Sequence, residues 1–300
     1  MLISFPIYSP EEEIKDPLFS KKNVRVYFKR DDKIHPFISG NKWRKLKYNL
    51  IDAQQRNINH LVTFGGAWSN HLLATAAAAA SFGFTSTGFV RGEDIDNAVL
   101  SMCRLFGMDL QFVDRQSYKE KRNLFLTHFN DRESLFLDEG GKSKLGMQGC
   151  MELLDELEQD YDHIFVASGT GTTVAGIAAG ITQYGLKTQV ETIPVLKSAD
   201  FLLDEFTSFG VDPAHIKLHL DYHFGGYAKT KPDLLLFIKE FVSKTGIMLE
   251  PTYTGKLVFG VYDLIMKDYF KPNSKILVIH TGGLTGYLGY LEQFNRLATI

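Results

Sequence analysis

The apolar run His163-Ile164-Phe165-Val166-Ala167 leads straight into Ser168-Gly169-Thr170-Gly171-Thr172-Thr173, and a helical pattern follows from Val174 to Tyr184. This order commits the segment to a strand, a tight turn and a helix. The turn has chemistry of its own. Its glycines let the main chain approach a ligand, the first N–H groups of the helix are free, and the helix dipole favours negative charge. No lysine follows the glycines as in a P-loop, and the residue three after Gly171 is Val174, so the dinucleotide pattern Gly-x-Gly-x-x-Gly is absent as well. A phosphate site is expected here; the competing reading is a turn used only for packing.

The same unit recurs along the chain. A strand over Val24–Lys29 precedes Gly40-Asn41-Lys42, which opens a helix with Trp43, Leu46, Leu50 and Ala53 on one face. His60–Phe64 leads into Gly65-Gly66-Ala67-Trp68-Ser69-Asn70-His71 and a helix reaching about Phe82. Further strands are expected over 84–90, 110–113, 135–137, 189–196, 215–222 and 275–280. Helices are expected over 97–106, 117–129, 145–157, 199–209, 232–245, 254–269 and 284–294. Regular alternation of this kind means an α/β fold with mostly parallel sheets. Ligands of such folds lie beyond the carboxyl ends of the strands. Five polar turns fall there: Asn41-Lys42, Ser69-Asn70-His71, Glu139-Gly140-Gly141, Ser168 to Thr173, and Thr281-Gly282-Gly283.

Several function classes are disfavoured. A net charge of −2 gives no bulk attraction to nucleic acid or an anionic membrane. Two cysteines, Cys103 and Cys150, make no disulfide framework and suit a reducing compartment. The start Met1-Leu2-Ile3-Ser4-Phe5-Pro6 lacks the basic and long apolar parts of a signal peptide. The alanine run Ala74–Ala80 is far shorter than the roughly 20 residues of a membrane span. A cytoplasmic enzyme is the expected class. Glu11-Glu12-Glu13 reads as solvated surface, and Arg44, Lys45 and Lys47 as a solvated helix face. His215, His219 and His223 are spaced by four but lie in an alternating, strand-like stretch, where four residues span roughly 13 Å. They are expected to face solvent rather than share a metal. No His-Glu-x-x-His, Cys-x-x-Cys or Gly-x-Ser-x-Gly is present.

A phosphate turn, a lysine in the first turn of another helix and a hydroxyl-rich turn together suggest pyridoxal phosphate, whose aldehyde forms a Schiff base with a lysine amine. The alternative for Lys42 is an ordinary surface lysine. The segments Gly40-Asn41-Lys42-Trp43-Arg44-Lys45-Leu46 and Gly65-Gly66-Ala67-Trp68-Ser69-Asn70-His71 resemble the 1-aminocyclopropane-1-carboxylate (ACC) deaminase and D-cysteine desulfhydrase family. The likeness runs on through Glu139-Gly140-Gly141, the phosphate turn, Gly225-Gly226-Tyr227, Tyr253-Thr254-Gly255-Lys256 and His280-Thr281-Gly282-Gly283, in the family's order.

The resemblance implies a two-domain, tryptophan-synthase-β-like fold (PLP fold type II). Residues 1–46 with 156–300 would form the large cofactor-binding domain and 47–155 the small one. It implies a homodimer acting on a small amino acid. Lys42 would be the Schiff-base lysine and move the α-proton. Asn70 would bond the cofactor's ring oxygen, and Gly169, Thr170, Gly171, Thr172 and Thr173 would cradle its phosphate. Ser69 would sit by the substrate carboxylate or move a proton, with His71 supporting it. Tyr227 and Tyr253 would flank the substrate, and Thr281 would face the pyridine nitrogen. Family members that open the cyclopropane ring carry glutamate after the second active-site tyrosine and leucine in the last turn; here Thr254 and Thr281 stand there.

A neutral hydroxyl at the ring nitrogen makes a weaker electron sink than a carboxylate would. That suits loss of a good leaving group such as thiolate. The expected reaction is β-elimination on D-cysteine, giving pyruvate, ammonia and hydrogen sulfide. The alternatives are ACC deamination and a PLP-binding protein without significant turnover. The chain departs from the family at Trp68, at Leu72-Leu73 and at Lys142-Ser143-Lys144. Trp68 is expected to make the pocket more apolar, and Lys142 or Lys144 to add positive charge.

Overall fold

A computed structural model describes residues 2–297. Met1 and the last three residues, which the expected large domain includes, lie outside the described residues. Ten strands occur in chain order: β1 (Glu11–Ile14), β2 (Arg25–Lys29), β3 (His60–Gly66), β4 (Thr85–Arg91), β5 (Met108–Val113), β6 (Ser134–Leu137), β7 (His163–Ser168), β8 (Gln189–Pro194), β9 (Ile216–Leu218) and β10 (Lys275–Ile279). They form a six-stranded sheet, β1-β2-β10-β7-β8-β9, and a four-stranded one, β5-β4-β3-β6. All pairings are parallel except β1 with β2.

The central strands of the large sheet are apolar without interruption because helices cover both faces. Phe165 and Ala167 of β7 pack into one core with Val26, Phe28, Ile276 and Val278. Ile164 and Val166 point the other way and join Tyr27, Leu277 and Ile279. The alanine-rich helix Asn70–Phe82 is likewise buried on two sides. Ala74, Ala77 and Ala78 pack towards the Trp43–Leu46–Leu50 stripe, and Leu72, Leu73 and Ala76 towards Val90 and Leu100. Its hydrophobicity is that of a core helix: among the described residues no helix is long and apolar enough to cross a membrane.

Several local expectations are corrected. Glu11–Ile14 is an edge strand rather than loose surface. Its carboxylates meet cations of the neighbouring chain: Glu13 takes Arg25, and Glu12 takes Arg30 and Lys33. Charges of this kind blunt an exposed sheet edge. Arg44 and Lys45 are 2% and 3% exposed, not solvated. The Arg44 guanidinium forks onto both oxygens of Asp31 at 2.7 Å and both of Glu156 at 2.8 Å. β9 stops at Leu218, and His219 is turned inward, its Nε2 2.6 Å from buried Glu191. The stretches expected as helices over 117–129, 145–157 and 284–294 each break into a 3₁₀ and an α part.

Candidate active site

The turns after β2, β3, β7 and β10 and the start of the helix Thr254–Met266 converge on one cleft of about 410 Å³. Lys42, Ser69, Asn70, His71, Gly169, Thr170, Tyr227, Tyr253 and Thr281 all line it. Gly171 and Thr173 line a small hollow that adjoins it at Lys42. Thr172 is fully buried and lines neither.

Lys42 lies in the first turn of the helix Asn41–Gln55, whose entry is fixed by Gly40. Gly40 has φ +59°, and an added Cβ would stand 1.9 Å from the Thr281 carbonyl oxygen. Only glycine permits that approach. The Asn41 N–H donates to the same oxygen at 3.3 Å. Burial, and then the charge of Lys45, hold the Lys42 amine well below the usual lysine range. No carboxylate pairs with it among the described residues. It is therefore an amine without a carboxylate partner at the cleft wall, shifted in the direction a nucleophilic lysine needs.

Gly171, with φ +79°, caps the helix Thr172–Gln183 without a side-chain bond. The first N–H groups of that helix have no acceptor within it. At Gly169 a Cβ would come 3.2 Å from the Tyr253 hydroxyl. The hollow over this turn has Lys42 and Lys45 beside it, the chemistry an anion site would use. Lys45 also ties itself to the Gly140 carbonyl at 3.0 Å.

Ser69 caps the helix Asn70–Phe82, its Oγ accepting from the N–H groups of His71 and Leu72 at 3.2 and 3.3 Å. Its own proton stays available. Asn70 is wedged against the last turn: Thr285 donates to its Oδ1 at 3.3 Å, and a Cβ on Gly283 would stand 2.4 Å from its amide nitrogen. His71 is 2% exposed, and neither ring nitrogen makes a well-formed hydrogen bond. Burial, then the charges of Lys42 and Lys45, keep its imidazole well below the ordinary range, hence neutral. The rings of Tyr227 and Tyr253 meet edge-on, 6.2 Å apart.

Thr281 is 6% exposed. Its turn is set by His280, whose Nε2 lies 2.7 Å from the Met248 carbonyl and whose Nδ1 accepts from the Gly282 N–H at 3.3 Å. Thr254 does not line the cleft. Its hydroxyl is bonded within the turn at Glu250, 2.9 Å from the Glu250 nitrogen and 3.3 Å from its carbonyl oxygen. Of the two threonines singled out from the sequence, only Thr281 lines the cleft.

Sequence patterns alone give Glu250, Lys256 and Arg91 no role. Glu250 is buried and accepts from the N–H groups of Thr252, Tyr253 and Thr254 at 2.6–2.8 Å, fixing Tyr253. Its place just ahead of a helix, where an acceptor caps free N–H groups, was the readable signal. Lys256 is buried and donates to the Gly226 carbonyl at 2.7 Å, beside Tyr227. Arg91 closes β4 and lines the cleft, the end of a strand being where such residues belong. Trp68 lies outside the cleft, its indole against Gly289, so it does not make that cleft more apolar. Lys142 lines the cleft but is paired with Glu205 at 2.5 Å. Lys144 is exposed, and Leu72 and Leu73 are core residues.

An unpaired lysine amine of lowered pKa, a glycine-rich turn at a helix N-terminus and the threonines around it fit pyridoxal phosphate. A family model described as pyridoxal-phosphate dependent enzymes matches residues 14–282. The chain belongs to that class of enzymes, and pyridoxal 5′-phosphate is its cofactor.

More narrowly, it belongs to the ACC deaminase and D-cysteine desulfhydrase family, with its fold type II architecture. A bifunctional D-cysteine desulfhydrase/ACC deaminase of Arabidopsis thaliana, described as mitochondrial, is 30% identical over 91% of this chain and 76% of its own length. The D-cysteine desulfhydrase of Klebsiella pneumoniae is 30% identical over 88% of each chain. The crystal structure of an ACC deaminase homologue superposes with a TM-score of 0.85 at 27% identity, covering 97% of this chain and 94% of the other.

Proposed function

We propose that this enzyme catalyses β-elimination on a small D-amino acid, D-cysteine in the simplest case, releasing pyruvate, ammonia and hydrogen sulfide. Pyridoxal phosphate, when bound, supplies an aldehyde that links to amines and a ring that draws electrons from the α-carbon. The chain's own residues do the rest. Lys42 would hold the cofactor covalently, and its freed Nζ would take the α-proton of the substrate. The turn at Gly169, Thr170, Gly171 and Thr173 binds the phosphate, with Thr172 supporting it from beneath. Asn70 orients the ring, Ser69 and His71 receive the substrate carboxylate, and Tyr227 and Tyr253 flank the substrate.

The observation that carries this reading is Thr281, a neutral hydroxyl residue lining the cleft where ring-opening members of the family carry leucine; with Thr254 in place of their glutamate, neither position brings a carboxylate that would strengthen the electron sink. A weaker sink suits departure of sulfur better than opening of a ring carbon. The second reading, ACC deamination, is favoured by the Arabidopsis relative, whose name carries both activities. The test is keto-acid release by PLP-loaded protein given D-cysteine and ACC in parallel. Pyruvate from D-cysteine alone upholds the proposal, and 2-oxobutyrate from ACC overturns it.

The family resemblance also supports a homodimer with no nucleic-acid or membrane partner, and a division of the chain into 1–46 with 156–300 and 47–155. Light scattering reads the first and limited proteolysis the last.

A further inference from the structure

Two hollows meet at Gly66, Asn70, Arg91, Tyr227 and Tyr253, which line both. The inner one is the cleft of about 410 Å³; the outer one is about 570 Å³. The inner cleft has to take the cofactor and the reacting end of the substrate together. D-Cysteine is smaller than the cofactor, so it would leave the outer chamber nearly empty. A chamber of that size, continuous with the site, is built for more substrate than D-cysteine offers.

The chamber also has a sign. Arg91, Arg115 and Lys119 bring positive charge to its walls, against the single carboxylate of Glu250. The Glu250 oxygens are already held by three backbone N–H groups. Arg91 and Arg115 pair with no carboxylate among the described residues. The Arg91 guanidinium lies over Gly66, 3.7 Å from where a Cβ would be, which puts it at the junction of the two hollows. It also stands over the Tyr118 ring at 5.4 Å. Trp68 also lines the outer chamber, its indole packed on Gly289, where a Cβ would meet it at 3.2 Å. The outer chamber thus offers aromatic walls to an alkyl chain and free guanidinium groups to an anion.

We propose that this enzyme's substrate is a D-amino acid whose β-carbon carries a thioether ending in a carboxylate, with that tail in the outer chamber and its acid facing Arg91 and Arg115. This rests on the elimination reading above. The reaction balances without an oxidant. The α-proton goes to Lys42, the Cβ–S bond breaks with its electron pair on sulfur, and the thiolate takes up a proton and leaves as a thiol. One water hydrolyses the remaining three-carbon fragment to pyruvate and ammonia.

The test gives PLP-loaded protein S-(2-carboxyethyl)-D-cysteine, S-propyl-D-cysteine and D-cysteine, and reads pyruvate. The carboxylated thioether is expected to exceed the propyl one in kcat/KM by about threefold or more at low salt, the scale of exposed ion pairs. The gap should close at high salt and narrow in Arg115→Gln. Equal use of the two thioethers, or a gap untouched by Arg115→Gln, overturns the proposal. If no D-amino acid yields pyruvate, the elimination reading fails on its own, and the chamber is read by fluorescence. Trp68 is 38% exposed and Trp43 is 1% exposed, so ligand-dependent quenching reports on Trp68. Tighter binding of the carboxylated thioether, lost in Arg115→Gln, upholds the chamber's role; equal binding of the two sinks it.

Discussion

Asn41 donates its side-chain amide to the Thr173 hydroxyl across 3.1 Å, joining the start of the lysine-bearing helix to the start of the helix behind the phosphate turn. Amine and phosphate cradle are thereby held in one frame. Thr173→Val removes the acceptor, and a neutral hydrogen bond contributes about 1 kcal/mol. Retention of pyridoxal phosphate in equilibrium dialysis should weaken roughly fivefold, and Thr173→Ser should restore it. Unweakened retention in the valine variant would make the tie irrelevant to the cofactor.

Gly40→Ala should be among the most damaging small changes near the site. At φ +59° and ψ −133° the residue occupies backbone space reserved for glycine, where other residues cost about 1–3 kcal/mol. The clash with the Thr281 carbonyl comes on top of that. A thermal melt of the variant should fall by roughly 5 °C or more. A melt within a degree of the parent would mean that the turn relaxes freely.

Lys256 makes stability rise with pH on the alkaline side. Burial brings its amine down from 10.5 to about 8, against the opposing charge of Glu250. Between those values the unfolded chain binds the proton and the folded one does not, so folding strengthens as pH climbs. Denaturant melts from pH 8 to 10 should show a gain of up to roughly 3 kcal/mol, absent in Lys256→Met. That variant also frees the Gly226 carbonyl and should lose turnover through Tyr227. A parallel pH slope in both proteins would remove Lys256 as the cause.

Glu191 acts on the acid side. Burial alone would raise its carboxyl, but hydrogen bonds from His163, His219 and Tyr269 bring it from 4.5 down to about 2. Its contribution is complete above the unfolded value and is lost as pH falls towards the folded one. Glu191→Gln should be destabilised at pH 7, and its deficit should shrink by roughly 3 kcal/mol between pH 5 and pH 2. Melts at the two ends of that range decide it; a constant deficit would show that the effect is packing alone.

The core strands and the site turns were legible because their patterns are local. Phe165 and Ile164 face opposite cores, which makes the run apolar throughout, and each site turn sits where such a strand ends. What escaped reading depended on partners distant in sequence. Arg44 looks like any surface arginine until Asp31 and Glu156, 13 and 112 residues away, close on it. His219 reads as solvent-facing until Glu191 is placed beside it by the pairing of β8 with β9. Thr254 stands by resemblance where ring-opening members carry glutamate, yet the first turn of a helix rotates consecutive residues to different sides, and its hydroxyl bonds at Glu250 rather than lining the cleft.

Thr281 divides its duties between main chain and side chain. Its carbonyl oxygen receives the Asn41 N–H and presses on Gly40, while the residue also lines the cleft. The scaffolding task therefore makes no demand on which side chain occupies position 281. If Thr281 faces the cofactor ring as proposed, descendants of this chain can retune the site by exchanging that one group, and Lys42 will stay where it is.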